Sequence, residues 1–184
     1  MDDVKSKAQE KMVKSVASLK DEFNTIRTGR ASASLFDKIR VDYYGQKTPL
    51  NQVATISVPE ARLVVIQPWD KGLLSELEKA IQTSDLSVNP NNDGKVIRIN
   101  FPPLTEERRK EFVKHAKNLA EQSRVAIRNI RREANDDLKK QLKSSELSED
   151  EEKRLTDEIQ KLTDEYIEQI NGLLEEKEKE IMEI

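Results

Sequence analysis

The sequence predicts an α+β fold class: a long three-helix bundle with an inserted small β/α/β domain. Three observations carry this. Apolar residues recur every three or four positions over the first thirty residues and again from residue 105 to the end. Between residues 31 and 104 the period drops to two, in short runs that stop at glycines and prolines. Charged residues make up 36% of the chain and hydrophobic ones only 35%, a composition that suits long, thin helices with much surface better than one wide core.

The first stripe runs through Val4, Ala8, Met12, Val16, Leu19, Phe23 and Ile26. This predicts one helix over residues 1–30, closed at Gly29 in the way helix C-termini often close. In the middle of the chain, Ile39–Tyr43 and Ala54–Val58 alternate and stop at Tyr44-Gly45 and at Pro59. Leu63–Ile66 is a short apolar run closed by Pro68, and Val96–Phe101 follows the turn residues Asn91-Asn92-Asp93-Gly94. All four are predicted strands, with a short helix marked by Leu73, Leu74, Leu77, Ala80 and Ile81 between the third and fourth.

Pro102-Pro103 ends this region, and Thr105 is placed to cap a new helix whose first turn holds Glu106 and Glu107. Its stripe is Phe112, Ala116, Leu119, Ser123, Ile127, Ile130, Ala134 and Leu138, and no proline or glycine interrupts it before about Lys143. After a turn at Ser144–Leu147, Ser148 and Glu151 form a capping box. The last stripe follows: Leu155, Ile159, Leu162, Tyr166, Ile170 and Leu173.

Helices with a single apolar stripe are unstable alone in water, and packing three of them together buries every stripe. The bundle is therefore drawn from residues 1–30 and 105–184, and the insert from 31–104. The chain passes between them near 29–32 and near 102–104. Gly29, Arg30, Ala31, Ser32, Pro102, Pro103 and Leu104 are the expected hinge.

Composition excludes several function classes. The chain has no cysteine, so disulfides, thiolate nucleophiles and cysteine metal sites are ruled out. No apolar run approaches the ~18 residues needed to cross a membrane, and Met1–Lys5 lacks the apolar start of a signal peptide, so a cytoplasmic protein is expected. The five glycines are too dispersed for a phosphate-cradling loop. The single histidine, His115, has no nucleophile or second ligand near it in sequence and reads as a half-exposed structural residue. Glu151-Glu152, Asp157-Glu158 and Asp164-Glu165 read as solvated surface. The protein is expected to be no enzyme, and to need neither cofactor nor metal. Trp69 and Tyr43-Tyr44 are either stacking platforms for bases or parts of the insert's core or surface.

Charge is unevenly spread. Residues 105–143 carry 12 basic against 7 acidic residues, and residues 144–184 carry 5 against 15. On the basic helix, at about 100° per residue, Arg124, Arg128 and Arg131 fall on one narrow stripe beside the apolar one. Lys110, Lys114, Lys117, Arg132 and Lys139 widen it, and Glu106 and Glu121 are the acids within it. Guanidinium groups held at the rise of a helix suit the phosphates of a folded nucleic acid. A merely solvated charged face is the plain alternative. Arg27 and Arg30, at the end of the first helix, either cap its carbonyls or extend the basic surface.

Taken together, certain segments resemble the ribosome recycling factor family, in the family's order and over essentially the whole chain. They are Ile26–Ser32, Val41–Gly45 with Thr48–Leu50, Ser84–Leu86 with Asn89-Pro90, Pro102–Arg109, Arg124–Glu133 and Gln160–Asp164. One position departs from the pattern: the hinge serine is usually followed by proline, and Ala33 stands there. The resemblance implies an L-shaped molecule, a three-helix bundle joined to a β/α/β sandwich. It implies binding to the large ribosomal subunit after termination. With elongation factor G and GTP hydrolysed by that partner, it implies splitting of the subunits to release messenger RNA and deacylated transfer RNA. A monomer without membrane attachment is expected. By motif, Arg128 and Arg131, with Arg132 beside them, are the RNA-contacting residues the resemblance points to, and Lys117, Arg124, Arg27 and Arg30 extend the expected RNA surface. Two other readings of the residues remain open at this point. One is a helical adaptor docking through its acidic last helix, and the other a small hydrolase using His115.

Overall fold

Three long helices account for most of the chain in a computed structural model that describes residues 3–183; Met1 and Asp2 of the segment read for a signal peptide, and Ile184, lie outside it. They are α1 (Asp3–Asn24), α3 (Glu106–Lys143) and α4 (Glu149–Met182), with the short α2 (Leu74–Gln82) between the first two. The strands are β1 (Arg40–Tyr43), β2 (Gln46–Pro49), β3 (Ala54–Glu60), β4 (Leu63–Pro68), β5 (Asn91–Asn92) and β6 (Ile97–Asn100). β1 and β2 pair as an antiparallel hairpin, and the others form an antiparallel sheet in the order β3-β4-β6-β5. The chain divides into two compact units. One contains the chain up to Phe23 with Val113–Lys179; the other contains Asn24–Phe112 with the residues from Glu180 onward.

In the helical unit most of the predicted stripes are buried, while Leu119 and Ile130 of α3 and Leu173 of α4 are half-buried, as is Phe112 in the other unit. Val4, Ala8, Met12, Val16, Leu19 and Phe23 of α1 are buried, as are Ala116, Ser123, Ile127, Ala134 and Leu138 of α3 and Leu155, Ile159, Leu162, Tyr166 and Ile170 of α4. Each fully buried leucine or isoleucine contributes about 1.5–3 kcal/mol relative to exposure, which is what the bundle offers against the entropy of ordering three helices. The helix ends follow from local chemistry. Thr105 Oγ1 accepts from Arg108 N–H at 3.2 Å and caps α3. Ser145 adopts φ 63°, and the amides of Glu146 and Leu147 fold back on the Gln141 carbonyl to close α3. The predicted capping box starts α4: Ser148 N–H donates to Glu151 Oε2 at 2.9 Å, and Glu151 N–H to Ser148 Oγ at 3.2 Å.

α1 does not reach Gly29. It stops at Asn24, and 25–30 form an irregular segment. The apolar period misleads here because Ile26 is buried although the chain has already left the helix. Gly29 serves close approach instead of a left-handed cap: its φ lies outside the left-handed region, and a Cβ there would stand 2.9 Å from the Glu183 carbonyl oxygen.

The second unit builds its core on the inner face of the larger sheet. Val64 and Ile66 of β4 and Ile97 and Ile99 of β6 are wholly buried, and α2 covers them with Leu74, Leu77 and Ile81. Phe36 and Phe101 meet edge to face with centroids 6.3 Å apart. Two strands went unpredicted. β2 carries no apolar alternation and owes its place to the turn before it, where Tyr44 and Gly45 take φ 50° and 81°, the pair of positive values that a tight hairpin favours. β5, expected as a turn, pairs Asn91 and Asn92 with Arg98 and Ile97.

Candidate nucleic-acid interface

The helix periodicity of α3 places Lys117, Arg124 and Arg131, seven residues apart, along one line beside its buried stripe, with Arg128 between the last two. Each of these cations is held by an acceptor. Arg124 Nη1–H donates to Asn171 Oδ1 of α4 at 2.8 Å, Arg131 Nη1–H to Gln160 Oε1 of α4 at 3.3 Å, and Lys117 Nζ lies 3.9 Å from Glu178 Oε1. Glu121 takes Arg124 Nε–H at 2.9 Å and Arg128 Nη1–H at 3.2 Å, and Arg132 Nη1–H donates to Asn129 Oδ1 at 3.3 Å.

The acceptors differ in what they leave behind. Asn171, Gln160 and Asn129 are neutral amides, which orient a guanidinium without cancelling its charge. A guanidinium has five N–H groups and these bonds use one or two, so donors remain for an incoming oxyanion. Pre-orientation also lowers the entropy lost on contact. Arg124 is more enclosed than Arg128, with a side chain 18% exposed against 40%. Two carboxylates touch the row, Glu178 beside Lys117 and Glu121 between Arg124 and Arg128. Glu121 is the closer. The hydrogen bond from Arg124, and then that from Arg128, hold it below the usual glutamate range, so it stays charged and subtracts from the local field.

Residues 160, 171 and 178 of α4 share one face by the same periodicity, yet Asn171 was not singled out from the sequence. The signal that could have found it is an amide at helical spacing opposite an arginine row, on a helix otherwise rich in acids.

The remaining predicted residues are placed as follows. Arg30 is exposed. Arg27 is half-buried: its Nη2–H donates to the Pro102 carbonyl, and its guanidinium stands 5.2 Å from the centroid of the Phe101 ring. Burial first, and Arg108 second, lower its ordinary pKa, though a guanidinium stays charged through such a shift. Ala31 N–H donates to the Ala61 carbonyl at 2.7 Å, and Ser32 caps a 3-10 turn at Ala33–Phe36 by accepting from Ser34 N–H at 3.2 Å. Ala33 is the first residue of that turn, a position whose N–H needs no partner within it and where proline fits without loss. Pro102 and Pro103 are exposed and Leu104 is buried.

Trp69 is 67% exposed, with Nε1–H donating to Thr55 Oγ1 at 3.0 Å, and Tyr44 lies open at the hairpin turn with its ring centroid 4.6 Å from that of Tyr43. His115 is exposed, not half-exposed as expected. Of the acidic pairs, Glu151 serves the α4 cap, Glu158 pairs with Lys5 at 3.0 Å and Asp164 accepts from Gln160 Nε2–H at 2.9 Å. Among the described residues no cluster of three or more histidines and carboxylates is placed to hold a metal, and no helix is long and apolar enough to cross a membrane.

The sequence pattern that defines ribosome recycling factors matches residues 19–182. The chain belongs to the ribosome recycling factor family. It is 63% identical over 183 residues to the ribosome-recycling factor of Treponema denticola, covering 100% of this chain and 99% of that one. Identity to the Caldicellulosiruptor bescii factor is 62% over 177 residues, with 96% of each chain covered. A ribosome recycling factor solved in solution superposes with a TM-score of 0.81 at 46% identity, covering 100% of this chain and 97% of the other. The Thermus thermophilus factor, placed with Escherichia coli elongation factor G on the E. coli post-termination complex, superposes with a TM-score of 0.68 at 49% identity and covers 98% and 97%. Members of the family thus share this chain's fold over nearly its full length.

Proposed function

We propose that α3 is the RNA-binding face with which this chain, acting as a recycling factor with elongation factor G, grips the post-termination ribosome. Arg124, Arg128, Arg131 and Arg132 of α3, with Lys117 and the exposed Arg30, meet phosphates of large-subunit RNA. Elongation factor G hydrolyses GTP while this chain hydrolyses nothing. The result is separation of the subunits and release of messenger RNA and deacylated transfer RNA. The helical bundle is the gripping part, the β/α/β insert receives the motor's push, and Gly29–Ser32 with Pro102–Leu104 lie in the segments that connect them.

The single observation behind this reading is the row of fixed guanidinium groups, Arg124, Arg131 and Arg132 oriented by neutral amides and Arg128 by Glu121, since a face that is merely solvated has no need to fix its arginines. Cosedimentation with ribosomes tests it. Arg131→Ala is expected to weaken binding by about 1–3 kcal/mol, the range for a charge-assisted phosphate contact, while the helical circular dichroism is retained. Binding at wild-type strength would remove Arg131 from the interface. No pelleting of the unaltered chain would favour the helical adaptor instead.

A further inference from the structure

The two connecting segments, 25–32 and 101–105, carry contacts that RNA binding leaves unused. Both are tied to one place, the tight turn between β3 and β4. Ala31 N–H donates to the Ala61 carbonyl at 2.7 Å, and Phe101 N–H to the carbonyl of the next residue, Arg62, at 2.8 Å. Adjacent carbonyls of a single turn thus take one amide from each segment. Arg27 then joins the segments to each other, with an N–H on the Pro102 carbonyl and its charged plane 5.2 Å from the centroid of the Phe101 ring. Phe101 is itself buried against Phe36 in the core.

We infer that Arg27 is a positioning residue that straps both connecting segments to the β3–β4 turn. The segments then move as part of the β/α/β unit, and reorientation is left to the backbone where they meet α1 and α3. Arginine fits this task because one planar group can lie over a ring and donate in its own plane to a carbonyl, whereas a lysine ammonium has no such plane. Gly29 adds no freedom, since its missing Cβ is what lets the Glu183 carbonyl approach. The consequence for subunit splitting rests on the function proposed above; the strap itself does not.

Amide hydrogen exchange on the full chain tests the strap without ribosomes. In Arg27→Ala the amides of Ala31 and Phe101 should exchange at least about tenfold faster, while those of the β4–β6 ladder stay protected. Arg27→Lys should show the same selective loss to a smaller extent, and it decides the matter if the alanine variant loses ladder protection as well. In the same variants the salt dependence of ribosome binding should keep its slope while splitting slows. Unchanged protection of Ala31 and Phe101 would overturn the strap. So would a slope reduced by roughly 0.7–0.9, the signature of a lost phosphate contact. Failure of the unaltered chain to split ribosomes would sink the proposed function and leave the exchange result standing.

Discussion

Asp93 carries the turn between β5 and β6 on one carboxylate. Its Oδ1 accepts the amides of Val96 at 2.8 Å and Lys95 at 2.9 Å, and its Oδ2 pairs with Arg98. The Val96 amide first, then that of Lys95, outweigh the opposing effect of burial, and with Arg98 added they hold the group down at about 2. An unfolded aspartate titrates near 3.9. Because the folded value is the lower one, the stabilisation is complete above about pH 4 and is lost as the pH falls through about 2. Carboxyl chemical shifts should therefore give Asp93 a midpoint near 2, and a midpoint near 4 would mean that the turn is not held this way. At this scale the sequence was informative about which groups are charged and silent about what orients them. The arginine row followed from helix periodicity alone. Its amide partners did not, because they depend on how α4 packs against α3.

Elements were legible wherever their signals are local. The caps of α3 and α4 are short-range hydrogen bonds between residues three apart, and both formed as expected. Ser148→Ala should remove the α4 cap at a cost of about 1 kcal/mol, read as a lower midpoint of urea unfolding with an unchanged slope. No change in midpoint would show that the box contributes nothing beyond the bundle's packing. Elements failed to be legible where tertiary context overrides the pattern. The apolar stripe of α1 runs past the helix because Ile26 is buried from an irregular segment. β2 and β5 are strands only because neighbouring strands pair with them, and neither carries the alternation that marks a strand by itself.

For the whole molecule, the charge division between residues 105–143 and 144–184 is the feature that local structure does not require. Seen from the fold, it sets a basic row along α3, the face proposed above to meet RNA, and keeps carboxylates on most of α4, with neutral amides at two of the places where α4 meets the arginines. On the function proposed above, this arrangement lets the protein grip a polyanion. The measurement that tests it most directly is light scattering from purified post-termination ribosomes mixed with elongation factor G and GTP, with the chain present or omitted. Scattering should fall as subunits separate only when the chain, the factor and GTP are all present, and Arg128→Ala with Arg131→Ala should abolish the fall at concentrations where the unaltered chain suffices. Equal separation without the chain, or undiminished separation by the doubly substituted protein, would contradict the account.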